Sequence, residues 1–185
     1  MKPDIQYTFH KIKKRKGSYR HIYAPSDDLK NFQISLLQEF YKVVPHSSNH
    51  GFVPKKSIVT NAKQHLKRKY VMSFDIKNFF PNTTLSKVER ILTRFYPNQM
   101  ENLPFVTYRG HLPQGAPTSP YLANFALYDF DTRITKYCTE NKISYTRYAD
   151  DLTFSFDNTN IGELMSLVNR ELYEEKYFLS KRKTK

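Results

Sequence analysis

Apolar positions along this chain switch between a helical and a strand-like period, and the order of the switches outlines the fold. Residues 5–12 and 19–24 read as two short strands. KKRKGS between them is a basic hairpin tip, with Gly17 and Ser18 supplying turn chemistry. Ser26 is placed to cap a helix running to about residue 44, because Leu29, Phe32, Leu36, Leu37, Phe40 and Val43 recur at helical spacing. Ser57 is placed to cap a second helix through Ile58, Ala62, His65 and Leu66. YVMSFDI (70–76) is rich in β-formers and ends at an acidic residue. Thr84 to Phe95 predicts an amphipathic helix with Leu85, Val88, Ile91, Leu92 and Phe95 on one face. Ser119–Pro120 is a helix start, a capping serine followed by proline at the first helical position, and that helix is expected to reach roughly Tyr137. Ile143 to Tyr148 and Leu152 to Phe156 read as two strands joined by the tight turn Ala149-Asp150-Asp151, and Ile161 to Tyr173 as a further helix. The pattern predicts an α+β fold, an antiparallel hairpin with helices behind it.

Composition narrows the partner. The 185 residues suggest one domain or two small lobes sharing a core, and 39% hydrophobic with 15% aromatic content excludes a disordered chain. A formal net charge of +13 favours a polyanion, nucleic acid first and an anionic membrane second. Cys138 is the only cysteine, which rules out an intrachain disulfide and a cysteine zinc cluster and fits a reducing compartment. The basic N-terminal stretch MKPDIQYTFHKIKKRKGSYR lacks the apolar core of a signal peptide, and no apolar run has membrane-span length. A cytoplasmic protein with no membrane partner is expected.

Two acidic clusters carry the candidate chemistry. Asp75 ends a hydrophobic strand in SFDIKNFFPN, and Asp150 and Asp151 occupy the turn of the hydrophobic hairpin YTRYADDLTFSF. Carboxylates at strand ends converge if the strands are neighbours, and adjacent like charges repel unless a cation neutralises them. Hard oxygen ligands on rigid strands suit Mg²⁺, and two such ions stabilise attacking and leaving oxygens in phosphoryl transfer. The Asp150–Asp151 pair taken alone also fits a plain exposed turn, where aspartate is common. Between the clusters lies LPQGAPTSPYLANF (112–125). There Gly115 lets the backbone pass close to a ligand and Gln114 offers an amide on a loop just before a helix.

These segments resemble, in order, the polymerase motifs of reverse transcriptases: Asp75 within FDIKNFF, Gln114-Gly115-Ala116-Pro117-Thr118-Ser119-Pro120, and Tyr148-Ala149-Asp150-Asp151. Upstream, Arg20-His21-Ile22-Tyr23-Ala24-Pro25 with Leu29-Lys30 and Gln33 resembles the fingers motif of bacterial members, and HGFVPKKSI (50–58) their next block. Asn61-Ala62-Lys63-Gln64-His65 resembles the Asn-Ala-x-x-His signature of the retron type, in which Asn61, Ala62 and His65 are the signature positions.

The resemblance implies a right-hand fold, with 1–70 mostly fingers and 71–185 palm, about 84–112 returning to the fingers. It implies RNA-directed DNA polymerisation, in which a primer hydroxyl attacks the α-phosphate of a dNTP and releases pyrophosphate. Asp75, Ile76, Asp150 and Asp151 would hold two Mg²⁺ ions, with Mn²⁺ as a substitute. Lys14, Arg20, Phe79, Phe80, Gln114, Gly115 and Lys183 would surround the dNTP, Phe80 as the ring that excludes a ribose 2′-hydroxyl. Tyr148 and Arg147 would lie at the primer–template. Implied partners are an RNA template, a DNA or RNA primer, a structured non-coding RNA and an effector protein, in a role tied to antiviral defence. The family continues beyond Lys183-Thr184 into a primer grip and a helical thumb, so the chain reads as ending before both. The rival readings are a group II intron or abortive-infection reverse transcriptase and a non-catalytic RNA-binding module.

Overall fold

A computed structural model describes residues 2–13, 17 and 19–180. The chain divides into two compact units, Met1–Val43 with Phe80–Ala126, and Val44–Phe79 with Leu127–Lys185.

In the first unit, β1 (Tyr7–Lys13) pairs antiparallel with β2 (Tyr19–Pro25), from Tyr7↔Pro25 to Lys13↔Tyr19. The basic tip between them, Lys14 included, lies outside the described residues. Helix α1 (Asp27–Phe40) buries Leu29, Gln33, Leu36 and Phe40 along one stripe. Its one polar member is anchored: the Gln33 amide donates to the Tyr7 hydroxyl at 2.8 Å and the Phe105 carbonyl at 2.6 Å. The helix stops short of residue 44 because Tyr41, Lys42 and Val43 close a turn on Leu37, Glu39 and Phe40, and Pro45 biases the residue before it away from helix. Ser26 occupies the cap position without a side-chain hydrogen bond.

Further helices of both units follow in the chain. Residues 58–63 form α2 (Ile58–Lys63), where Ser57 and Thr60 cap each other reciprocally. Past β3 (Tyr70–Asp75), two elements that periodicity did not show are one-turn pieces, α3 (Phe79–Asn82) and, after α4 (Leu85–Phe95), α5 (Leu103–Val106). Helix α4 buries Val88, Ile91 and Leu92 of its expected face, half-buries Phe95 and leaves Leu85 exposed. The long helix expected from Ser119 is two helices, α6 (Ser119–Phe125) and α7 (Tyr128–Glu140). Ala126 N–H turns back to the Ala123 carbonyl, and Leu127 leaves the helical region at φ −120°, ψ 23°. Apolar side chains continue through the break with Phe125, Leu127 and Phe130 buried, which is why the pattern concealed it.

The second unit holds a three-stranded antiparallel sheet in the order β3-β5-β4, with β4 (Ser144–Tyr148) and β5 (Asp151–Phe156) forming the predicted hairpin. Alternation puts Leu152, Phe154 and Phe156 on one face with Phe74. Helices α7 and α8 (Ile161–Glu174) bring Phe130, Ile134, Leu164, Val168 and Leu172 into the core. Tyr145 stacks on Phe154 at 4.9 Å. No described helix is long and apolar enough to cross a membrane.

Candidate active site

Register alone brings the acidic positions together. Asp75 pairs with Asp151 at the last rung between β3 and β5, and Tyr148 pairs with Asp151 at the last rung between β4 and β5. Facing residues share a face of an antiparallel sheet, so Asp75, Asp151 and Tyr148 lie on one side of it, with side chains of facing residues about 4.5–5.5 Å apart at Cβ. Asp150 occupies the turn between them, and its carbonyl accepts from Ile76 N–H at 2.8 Å, folding the turn onto the end of β3. Asp75 is nearly buried, Asp150 half-buried and Asp151 exposed. Among the described residues no three His, Cys, Asp or Glu side chains are gathered into a ligand set. The juxtaposition is made by backbone pairing, and directly opposed carboxylates are an arrangement that like-charge repulsion disfavours without a cation.

The end of β3 is further fixed by an antiparallel bridge between Ile76 and Leu179. Lys77 N–H donates to the Phe178 carbonyl at 2.8 Å and Ser180 N–H to the Asp75 carbonyl at 2.7 Å. Neither bond uses the Ile76 carbonyl, which fits a hard-cation ligand beside Asp75. The Asp150 turn is held from behind. Arg147 is fully buried and donates to the Asp131 carboxylate, at 2.6 Å from Nη2, and to the Ala149 carbonyl at 3.0 Å from Nη1. Its burial opposes the charge, but the Asp131 carboxylate, together with Tyr145 and Tyr177, holds the guanidinium pKa above its usual value. Asn49 and the Tyr145 hydroxyl also donate to Asp131, at 3.1 and 2.7 Å. Arg147 was expected at the primer–template. Its side chain instead faces the interior and braces the turn, because β4 alternation sends residues 145 and 147 toward Asp131 on α7.

The opposite face of β4 carries the family-signature histidine. His65 is buried, with Nδ1 2.8 Å from Ser155 Oγ and Nε2 2.7 Å from Thr146 Oγ1, so one ring ties both hairpin strands. Burial lowers its pKa and keeps the ring neutral. Asn61 and Ala62 lie on α2 just before it. Residues 48–50 run beside β4 through a parallel bridge, Asn49↔Arg147, closed by Arg147 N–H to Ser48 O and His50 N–H to Arg147 O. Gly51 follows, and a Cβ there would stand 2.7 Å from Ala149 N and 3.1 Å from Tyr148 C. Ala149 itself sits at φ 55°, a conformation alanine adopts at a cost. Phe79 is buried against Tyr177 at 5.4 Å, while Phe80 is half-buried.

In the first unit, Gln114 O accepts Tyr23 N–H at 2.8 Å, so the 113–116 loop lies on β2. Gly115 is at φ 123°, and a Cβ there would come within 2.7 Å of Tyr23 O, so its demand for glycine arises from strand contact. Arg20 is exposed on β2. Lys14 and Lys183 lie outside the described residues. The sequence did not single out Asp131, Asn49, Tyr145 or Gly51. Only Asp131 carried a signal, as a carboxylate inside the apolar stripe Phe130, Ile134, Cys138 of α7.

The fold defines the class: the fingers and palm of a reverse transcriptase. A telomerase from Candida albicans, solved in complex with a TWJ fragment of telomeric RNA, superposes with a TM-score of 0.64 at 12% identity, over 97% of this chain and 42% of that one. The chain belongs to the reverse transcriptase (RNA-dependent DNA polymerase) family, whose model matches residues 12–185. Within the family it is of retron type. It is 36% identical to the Retron Mx65 reverse transcriptase of Myxococcus xanthus, over 97% of this chain and 47% of that protein. It is 34% identical to the Retron Ec83 reverse transcriptase of Escherichia coli, over 92% of this chain and 58% of that protein. The chain thus spans about half the length of these curated relatives.

Proposed function

We propose that this chain carries the nucleotidyl-transfer centre of a retron-type, RNA-directed DNA polymerase. The observation that carries the reading is the rung Asp75↔Asp151 with Asp150 in the adjoining turn, on a chain of this family. Asp75, Asp150 and Asp151, with the Ile76 carbonyl, are the groups that would hold two Mg²⁺ ions. Bound there, the ions would neutralise the carboxylates and the charge developing on the transferring phosphate. Tyr148, on the same face, would rest against the primer terminus. Phe80 is the accessible ring of the Phe79–Phe80 pair and would sit beneath the sugar. Gln114 and Gly115 would contact the incoming dNTP. Arg20, Lys14 and Lys183 would bind its phosphates, a guanidinium doing so bidentately.

The grouping of 80–126 with 1–43 supports assigning about 84–112 to the fingers, whereas 44–70 groups with the hairpin of the palm. The net charge of +13 supports an RNA template paired to a DNA or RNA primer, bound in a salt-dependent manner. A structured non-coding RNA, an effector protein and a cytoplasmic setting belong to the same reading. The test is primer extension on an RNA template with dNTPs and Mg²⁺. Asp150→Asn should abolish extension and leave the thermal midpoint unchanged or raised, since it removes a like charge. Undiminished extension by the variant would sink the assignment.

A further inference from the structure

Phe52 has no place in the reaction as described, yet the fold holds it in a costly way. It is a phenylalanine at φ 58°, in the left-handed region where a side chain is disfavoured. Its ring is 47% exposed, so burial does not compensate the strain. Tyr148 is its aromatic neighbour among the described residues, at 6.1 Å between ring centroids and 44° between planes. The residue before it, Gly51, is the position where any Cβ would strike the backbone of Tyr148 and Ala149, at 3.1 and 2.7 Å. The bridge of Asn49 to Arg147 fixes the same segment to β4. Backbone strain that surrounding structure over-determines clusters at ligand-contacting sites. Here it delivers an exposed, rigidly mounted ring beside the Tyr148–Asp151 end of the sheet.

We propose that Phe52 is a base-stacking contact for the nucleic acid bound at this site, its open face receiving a nucleobase while Tyr148 borders it. The inference rests on the polymerase reading for the identity of the bound strand, but its chemistry is separate. An aromatic face stacks on any base, so the contact adds affinity without sequence preference. Lys55, exposed three residues along, is placed to meet a backbone phosphate. Lys56 is committed elsewhere, donating to the Ser47 and Asn49 carbonyls at 2.6 and 2.7 Å.

The chain has no tryptophan, so Phe52→Trp creates a single fluorescent reporter at the proposed contact. Titration with an RNA template annealed to a DNA primer should quench it. A control reporter, Tyr70→Trp, sits 57% exposed at the far end of β3 and should not be quenched. Phe52→Gly should bind the same duplex roughly tenfold more weakly while its thermal midpoint stays level or rises, because glycine accepts the left-handed backbone. Absence of quenching at Phe52→Trp overturns the proposal, as does Phe52→Gly with a lowered midpoint and unchanged affinity. Where affinity and midpoint both fall, the quench decides. Quenching without primer extension would leave this contact standing and remove the polymerase reading; extension without quenching would remove only the contact.

Discussion

Phe79 and Phe80 show how adjacent identical residues acquire different work. Phe79 is 2% exposed, packed on Tyr177 and beneath the Arg147 guanidinium at 5.9 Å, whereas Phe80 keeps part of its surface open. Phe80→Ala is therefore expected to relax sugar selection by roughly one to two orders of magnitude, read as the ratio of dNTP to rNTP incorporation in single-nucleotide extension. Phe79→Ala should cost about 3–5 kcal/mol of stability by emptying a core position, with selection kept. A selection ratio unchanged in Phe80→Ala would remove the gate from that ring. The aspartates were legible because each ends a hydrophobic run, and a carboxylate there has few structural excuses. Arg147 was misread for the opposite reason. An arginine beside an acidic turn suggests phosphate, and nothing local reveals that Asp131, 16 residues earlier, neutralises it inside the core.

At the level of elements, strands and amphipathic helices followed from periodicity, and the errors fall where another force governs. Pro45 and a closing turn trimmed α1, and a three-residue hydrogen bond at Ala126 broke one apolar stripe into α6 and α7. The elements that no period marks are single turns such as α3 and α5. The strip 48–51 along β4 was equally invisible, because its regularity lies in pairing with a distant strand. It makes a demand of its own. Gly51→Ala would set a methyl 2.7 Å from a backbone nitrogen that has no flexible end to yield. We expect a loss of about 1–3 kcal/mol in denaturant unfolding and a displaced Asp150 turn. Primer extension should fall further than the loss of folded protein explains. A variant with full activity and stability would show that the strip does not position the turn.

For the molecule as a whole, buried histidines set a pH window. His50 is pushed down to about 4 from 6.5, by burial first, then by Lys56 and His65. His65 and His46 are also lowered, chiefly by burial. The unfolded chain takes up these protons near 6.5 and the folded chain resists them. Stability from the three rings is therefore complete above about 6.5 and declines as pH falls below it, the share of His50 being lost as pH approaches about 4. Thermal midpoints measured at constant ionic strength should be flat above neutrality and decline across that interval, with the decline reduced in His50→Gln. A midpoint independent of pH down to 4 would contradict the buried, neutral assignment.

The pairing of β3 with β5 also has a consequence in time. Tyr70 and Phe156 are partners nearly half the chain apart, and residues 80–126 between them belong to the other unit. At a ribosome adding about 5–20 residues each second, the segment YVMSF emerges several seconds before the strand that will cover its edge exists. An apolar, β-rich segment waiting that long is a template for wrong partners. Immediately ahead of it stand Lys67, Arg68 and Lys69. In the finished protein Arg68 forms a modest surface ion pair with Asp157, and Lys67 and Lys69 are exposed. Three consecutive positive charges beside such a segment oppose the addition of like-charged neighbouring chains while the sheet is unfinished.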